Sequence, residues 1–162
     1  MLKRVLIFII IIIFLGVLSI FYPYLTGEKT IIPVDYEREQ AFVTRVIDGD
    51  TLVYEINNIS YTCRLLGINT PEKSEELYQE AKDYLSIVDG KEVEILRDWD
   101  DEGKYHRKLR YIFYEDRLIN VEIVEQGFAI AFMTEDLVYE DKLFMAEKFA
   151  KENCLGIWEE SC

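Results

Sequence analysis

The sequence predicts an α+β domain that is mainly β, a five-stranded barrel with about three helices, preceded by an N-terminal transmembrane helix. Three observations predict it. An apolar run without a charge fills most of residues 5–25. Residues 41–68 alternate apolar and polar positions with a period of two, interrupted only by turn residues. Two later stretches repeat apolar residues at helical spacing.

Lys3 and Arg4 precede "VLIFIIIIIFLGVLSIFY", about 18 uncharged residues, roughly the length that spans a bilayer core. No small-residue cleavage pattern follows, which favours an uncleaved anchor over a cleaved signal peptide. The positive-inside tendency puts Lys3 and Arg4 in the cytoplasm. The expected organisation is an anchor or signal over 1–25, a linker over 26–39 and a folded domain over 40–160. The expected location is the cell membrane, single-pass through residues 5–25, with the domain on the extracytoplasmic side. Secretion after cleavage is the alternative.

In "AFVTRVIDGDTLVYEI", Val43, Arg45 and Ile47 alternate with Thr44 and Val46. Asp48-Gly49 turns the chain, and Leu52, Tyr54 and Ile56 alternate again. Asn57-Asn58 turns it into a third strand, "ISYTCRLLGI". "SEELYQEAKDYLSIV" reads as a helix capped by Ser74, with Leu77, Ala81, Tyr84, Leu85 and Val88 on one face and Asp89-Gly90 ending it. "KEVEILRD" is a fourth strand and "KYHRKLRYIFY" a fifth, separated by an acidic loop. A short helix, "VEIVEQG", is capped by Asn120 and stopped by Gly127. The last helix, "EDKLFMAEKFAKENCLGIW", groups Leu143, Phe144, Ala146, Phe149 and Ala150 near one face, and Gly156 ends it. Three meandering strands, a helix, two strands and further helices is the order of a five-stranded OB-type barrel.

Composition narrows function. Eighteen basic against 31 acidic residues give a net charge of −13, unlike the broad basic face of a general nucleic-acid binder. The three cysteines, Cys63, Cys154 and Cys162, form no C-x-x-C pair, which argues against a zinc site. Cys63, in a strand-like run, reads as a buried apolar residue. Cys154 and Cys162 either pair outside the cell and staple the last helix, or stay as thiols.

Three clusters concentrate polar chemistry: Asp48, Asp50 and Thr51 in "DGDT"; Arg64, Asn69, Thr70 and Glu72 in "RLLGINTPE"; and Lys104, Tyr105, Arg107, Lys108 and Arg110 in "KYHRKLR". These are the groups that phosphodiester cleavage requires. A hard cation such as calcium takes oxygen ligands, and Asp50, Asn69 and a nearby carbonyl supply them. Glu72 is placed to orient or deprotonate a water. Arg64 and Arg107 offer forked hydrogen bonds to the charge of the transition state.

The chain resembles the staphylococcal (thermo)nuclease family, calcium-dependent nucleases with an OB-fold core. The resemblance rests on "VIDGDTLVY", "RLLGINTPE", "EAKDYL", "KYHRKLRYIF", "LINVEIVEQGFA" and "AEKFAKENCLGIW", in family order over about residues 41–158. It implies one calcium ion held by Asp50, Asn69 and the carbonyl of Thr70. Asn69 stands where the family usually has a second aspartate, so calcium should bind more weakly. Arg64 and Arg107 match the phosphate-binding arginines, Glu72 the glutamate assigned to water activation, and Lys104 and Tyr105 residues that hold a terminal phosphate. Asp48 neighbours the metal ligands. The segment between Glu72 and Glu80 is too short for the family's long lid loop, and His106 replaces a usual glycine and reads as a partly exposed strand residue. The implied activity is hydrolysis of unpaired DNA or RNA to 3′-phosphate products by a monomeric catalytic domain with no protein partner. The acidic total matters less under this reading, because the scissile phosphate would feel the local cations, Arg64, Lys104, Arg107, Lys108 and Arg110. The rival reading is a membrane-tethered OB-fold module that binds nucleic acid or protein without catalysis.

Overall fold

A computed structural model describes residues 37–132 and 137–161. The expected anchor, most of the expected linker and Cys162 lie outside the described residues. No helix among the described residues is long and apolar enough to cross a membrane.

Strands β1 (Glu39–Val46), β2 (Thr51–Ile56) and β3 (Ile59–Leu65) form the expected antiparallel meander. β4 (Ile68–Asn69) follows a turn at Gly67. Helix α1 (Tyr78–Leu85) leads through a 3₁₀ turn to β5 (Glu92–Leu96), and β6 (Lys108–Tyr114) returns beside β5. β7 (Arg117–Leu118) hairpins onto β6, α2 (Ile119–Glu125) follows, β8 (Ile130–Ala131) pairs with β4, and α3 (Glu140–Glu152) leads to a final 3₁₀ helix over Gly156–Ser161. The sheet runs β3-β2-β1-β5-β6, and a parallel β3–β6 ladder joins its ends. That ladder closes a five-stranded barrel, as the element order predicts. Closure removes the free sheet edges that an open meander would leave.

The core fills as the alternation requires, with one correction. A bulge shifts the register between Val43 and Arg45, so Val43 and Val46 both point inward while Arg45 is exposed. Leu52, Tyr54, Cys63 and Leu65 line the interior, and burial pushes the Cys63 thiol up to about 12. From α1 come Ala81 and Leu85, from α2 Ile119, Ile123 and Val124, and from α3 Leu143, Ala146 and Ala150. Phe144 and Phe149 are exposed, because the buried stripe of α3 is the narrow i, i+3, i+7 row through Leu143, Ala146 and Ala150.

Four further differences have local causes. The first helix begins at Tyr78, not Ser74, because Leu77 adopts a left-handed φ of 63° and the Glu75 carboxylate takes the Glu72 N–H at 2.7 Å in a separate turn. The third strand stops at Leu65. Gly67, with φ of 74°, redirects the chain, and a Cβ there would meet Leu143 Cδ1 at 2.3 Å. Residues 104–106 form a 3₁₀ turn rather than strand, since Tyr105 and His106 have φ of 61° and 56°. Cys154 is disulfide-bonded, so it is not a free thiol, while Cys63 is free and buried; the expected partner, Cys162, lies outside the described residues.

Asn120 departs from its expected role as well. It does not cap α2 but sits inside it, fully buried. Its Oδ1 accepts the Ile112 N–H at 2.9 Å, and its Nδ2 donates to Leu66 O at 2.9 Å and Arg110 O at 3.2 Å. One amide thus ties the end of β3 to β6. Asn120→Ala removes the partners of the Ile112 N–H and the Leu66 carbonyl in the interior, while Arg110 O keeps its bond from the Leu66 N–H. The expected loss in a urea titration is about 3 kcal/mol, at the upper end for an orphaned buried polar group. Asn120→Asp should also destabilise, since a carboxylate cannot donate to the two carbonyls.

Candidate active site

The barrel closure decides which polar residues meet. Thr51 on β2 pairs with Arg64 on β3, and Arg64 pairs with Leu109 on β6. The start of β2, the end of β3 and the start of β6 therefore share one end of the barrel. "DGDT", the first half of "RLLGINTPE" and the segment containing Arg107 are brought together there.

Asp50 is the centre. It is buried, and its Oδ2 accepts the Thr70 N–H and the Thr70 hydroxyl, each at 3.2 Å. Its Oδ1 accepts the Thr51 hydroxyl at 2.9 Å and Nη1 of Arg64. Gly49 makes the approach possible: a Cβ there would lie 2.8 Å from Ala81 Cβ and 2.9 Å from Thr70 Oγ1. Asp48 accepts the Asp50 N–H at 3.1 Å, and burial, then the Asp50 charge, raises its pKa above the ordinary aspartate value.

Arg64 spans the expected metal ligands. Besides Asp50, its Nη2 donates to Asn69 Oδ1 at 2.8 Å and to Ile68 O at 3.2 Å. The β4–β8 pairing, Asn69 opposite Ile130, holds Asn69 in place. Among the described residues no three acidic, thiol or imidazole side chains converge on one point. A metal here would rest on one carboxylate with amide, hydroxyl and carbonyl oxygens. This all-oxygen set suits a hard cation such as calcium rather than a soft one.

Glu72 is exposed, and its side chain makes no ion pair among the described residues. Arg107 is half-buried; it donates Nε to Lys104 O at 3.5 Å, lies 5.8 Å from the Tyr105 ring centroid and has no carboxylate partner among the described residues. Lys104 and Tyr105 are exposed on the 3₁₀ turn just before it.

Two expected local cations are already neutralised. Lys108 contacts Asp101 at 2.5 Å and Glu102 at 3.3 Å, and Arg110 contacts Asp101 at 2.6 Å. The acidic loop "DWDDEG" folds back over the strand it precedes, and Asp50 pairs with Arg64, so the cations without an ion pair here among the described residues are Lys104 and Arg107. His106 is highly exposed and pairs with Glu102. Spacing alone does not reveal Asp101 as the clamp, because the loop has several acids and only its path selects one.

The family follows from comparison. A profile described as staphylococcal nuclease homologue matches residues 62–160. The chain belongs to the staphylococcal nuclease family. It is 27% identical over 160 residues to the thermonuclease of Staphylococcus intermedius, covering 93% of this chain and 95% of that protein. It is 33% identical over 129 residues to an uncharacterized endonuclease of Haemophilus influenzae, covering 77% of this chain and 69% of the relative. The thermonuclease of Staphylococcus hyicus is 26% identical over 151 residues, covering 88% and 89%. The closed barrel with its helices fits the OB-type fold expected of this family member.

The Asp101 clamp makes a pH prediction. Lys108, and then Arg110, hold the Asp101 carboxyl below the ordinary aspartate range by hydrogen bonding. A depressed folded pKa contributes stability that is present above the unfolded value and lost as pH falls through the folded one. Wild type should therefore be more stable than Asp101→Asn at neutral pH. The gap should close as pH drops below about 3.9, measured by thermal unfolding across an acid series.

Proposed function

We propose that this protein is a calcium-dependent nuclease that hydrolyses unpaired DNA or RNA to 3′-phosphate products. One observation carries the reading: barrel closure gathers the oxygen set of Asp50 and Asn69, the Arg64 guanidinium and the segment with Arg107 at one end. The family membership and the nuclease names of the relatives support it.

Asp50, Asn69 and the Thr70 carbonyl would hold calcium, which when bound supplies Lewis-acid polarisation of a phosphate oxygen. Glu72 takes a proton from an attacking water. The water oxygen forms a bond to phosphorus as the bond to the 5′ oxygen breaks in line. Arg107 and Arg64 donate to the non-bridging oxygens as charge grows on them. The departing 5′ oxygen gains a proton from solvent, leaving a 5′-hydroxyl and a 3′-phosphate. Lys104 and Tyr105, exposed beside Arg107, position a neighbouring phosphate. The mostly acidic surface would disfavour tight binding of long tracts, leaving recognition to these few cations.

The site works on the outside of the membrane in this reading, with residues 5–25 as a single-pass anchor, or free in the medium if the segment is cleaved. Extracellular calcium suits a site with one carboxylate, since extracellular modules bind at about 10⁻⁴–10⁻³ M. The catalytic domain acts as a monomer.

Incubation of the detergent-solubilised full chain with single-stranded DNA and RNA tests this. Cleavage is expected at millimolar calcium, none with chelator, and 3′-phosphate ends. Arg107→Ala should lower the rate by ~10³–10⁵, as loss of an arginine that stabilises phosphoryl transfer does. A folded protein that binds oligonucleotide but leaves it intact would instead identify the non-catalytic binding module.

A further inference from the structure

The Asp50 carboxylate already has a full set of donors. Thr51 and Thr70 supply the Thr51 hydroxyl, the Thr70 hydroxyl and the Thr70 N–H, and Arg64 supplies the remaining one. A cation can approach Asp50 only by replacing a donor. The threonine donors are buried and held by the strand start and the backbone. Arg64 is the replaceable partner: its side chain is 21% exposed against 6% for Asp50, and its charge is carried on a flexible stem. The same guanidinium holds Asn69 Oδ1 at 2.8 Å and Ile68 O at 3.2 Å. Arg64 thus occupies two of the side-chain oxygens assigned to calcium.

We infer that Arg64 is the counter-cation of the Asp50 and Asn69 oxygens, and that it contends with the divalent ion for them. The inference rests on the calcium reading above and adds to it a gate. Arg64 spends one Nη1 hydrogen on Asp50 and its Nη2 on Asn69 and Ile68, so a forked hold on a phosphate through both Nη groups requires it to release these oxygens. Two cations on one carboxylate repel, so calcium on Asp50 and Asn69 favours Arg64 facing outward, toward the anion it clamps. A phosphodiester that draws Arg64 away in turn vacates the oxygens for calcium. Metal and substrate therefore favour each other, and linkage makes the coupling reciprocal.

Calcium affinity of the detergent-solubilised full chain, measured by titration calorimetry, tests the gate without using turnover. Removing the competitor should tighten binding even though it removes a residue needed for cleavage. Arg64→Gln is expected to lower the calcium Kd by about tenfold or more, within the usual range of coupling. Arg107→Gln removes the same charge from the segment just before β6 and should change the Kd far less. A second measurement serves if Arg64→Gln does not fold. In wild type labelled with ¹⁵N-arginine, the Arg64 side-chain resonances should shift in step with calcium occupancy. Calcium binding to wild type with unmoved Arg64 resonances, or equal tightening by both substitutions, would overturn the gate and leave the nuclease reading standing. No calcium binding by wild type or either variant would overturn both.

Discussion

The parallel ladder between β3 and β6 is the constraint on which the rest depends. β3 ends the first meander and β6 comes more than forty residues later in the chain, so no local preference brings them together. Once paired, they turn a five-stranded sheet into a barrel and set the polar end of β3 beside that of β6. Asn120 reinforces this junction from α2 by bonding to Leu66, Arg110 and Ile112. A buried amide that uses both N–H donors and its oxygen gives a packing arrangement that an apolar residue of similar size would not specify. The helix that carries it is held in turn by Ile119, Ile123 and Val124 in the core.

Charge at the site is arranged by subtraction. The chain is strongly acidic, and several cations at this end of the barrel are already paired. Asp101 and Glu102 take Lys108, Asp101 takes Arg110, and Asp50 takes Arg64. Lys104 and Arg107 stand apart, on a turn whose left-handed residues, Tyr105 and His106, lift it out of the strand. This local pattern, and not the net charge, determines where an anion would settle, because exposed charges are screened within about 8 Å at physiological salt.

Asp50 links the two themes. Its carboxylate joins the turn after β1 to the start of β2, the end of β3 and the segment after β4. It is at once a structural acceptor and, in the proposed reading, the carboxylate that would hold calcium. Groups of this kind couple local stability to ligand binding, since whatever competes for the oxygens also alters the bonds that hold the turn.

By itself the sequence determined the order of the main strands and helices, several of the turns, and which polar residues were candidates for one site. Alternation in 51–56 and 59–65, Asp48-Gly49, Asn57-Asn58 and the burial of Cys63 are local consequences of side-chain period and backbone preference, which read directly along a chain. Tertiary structure alone decided what those preferences leave open. The bulge at Val43–Arg45 depends on the register against β2, the late start of α1 on the turn that Glu75 closes, and the left-handed turn at Tyr105 on the loop that folds over β6. Asn120 looks like a cap from its neighbours and is a buried brace, because its partners come from β6 and the end of β3. In the same way the sequence names Arg64, Asp50 and Asn69 as separate tools, and only the closed barrel shows one guanidinium bound to both oxygens. Hydrogen-bond partners distant in sequence are selected by closure of the fold, and no local pattern encodes that selection.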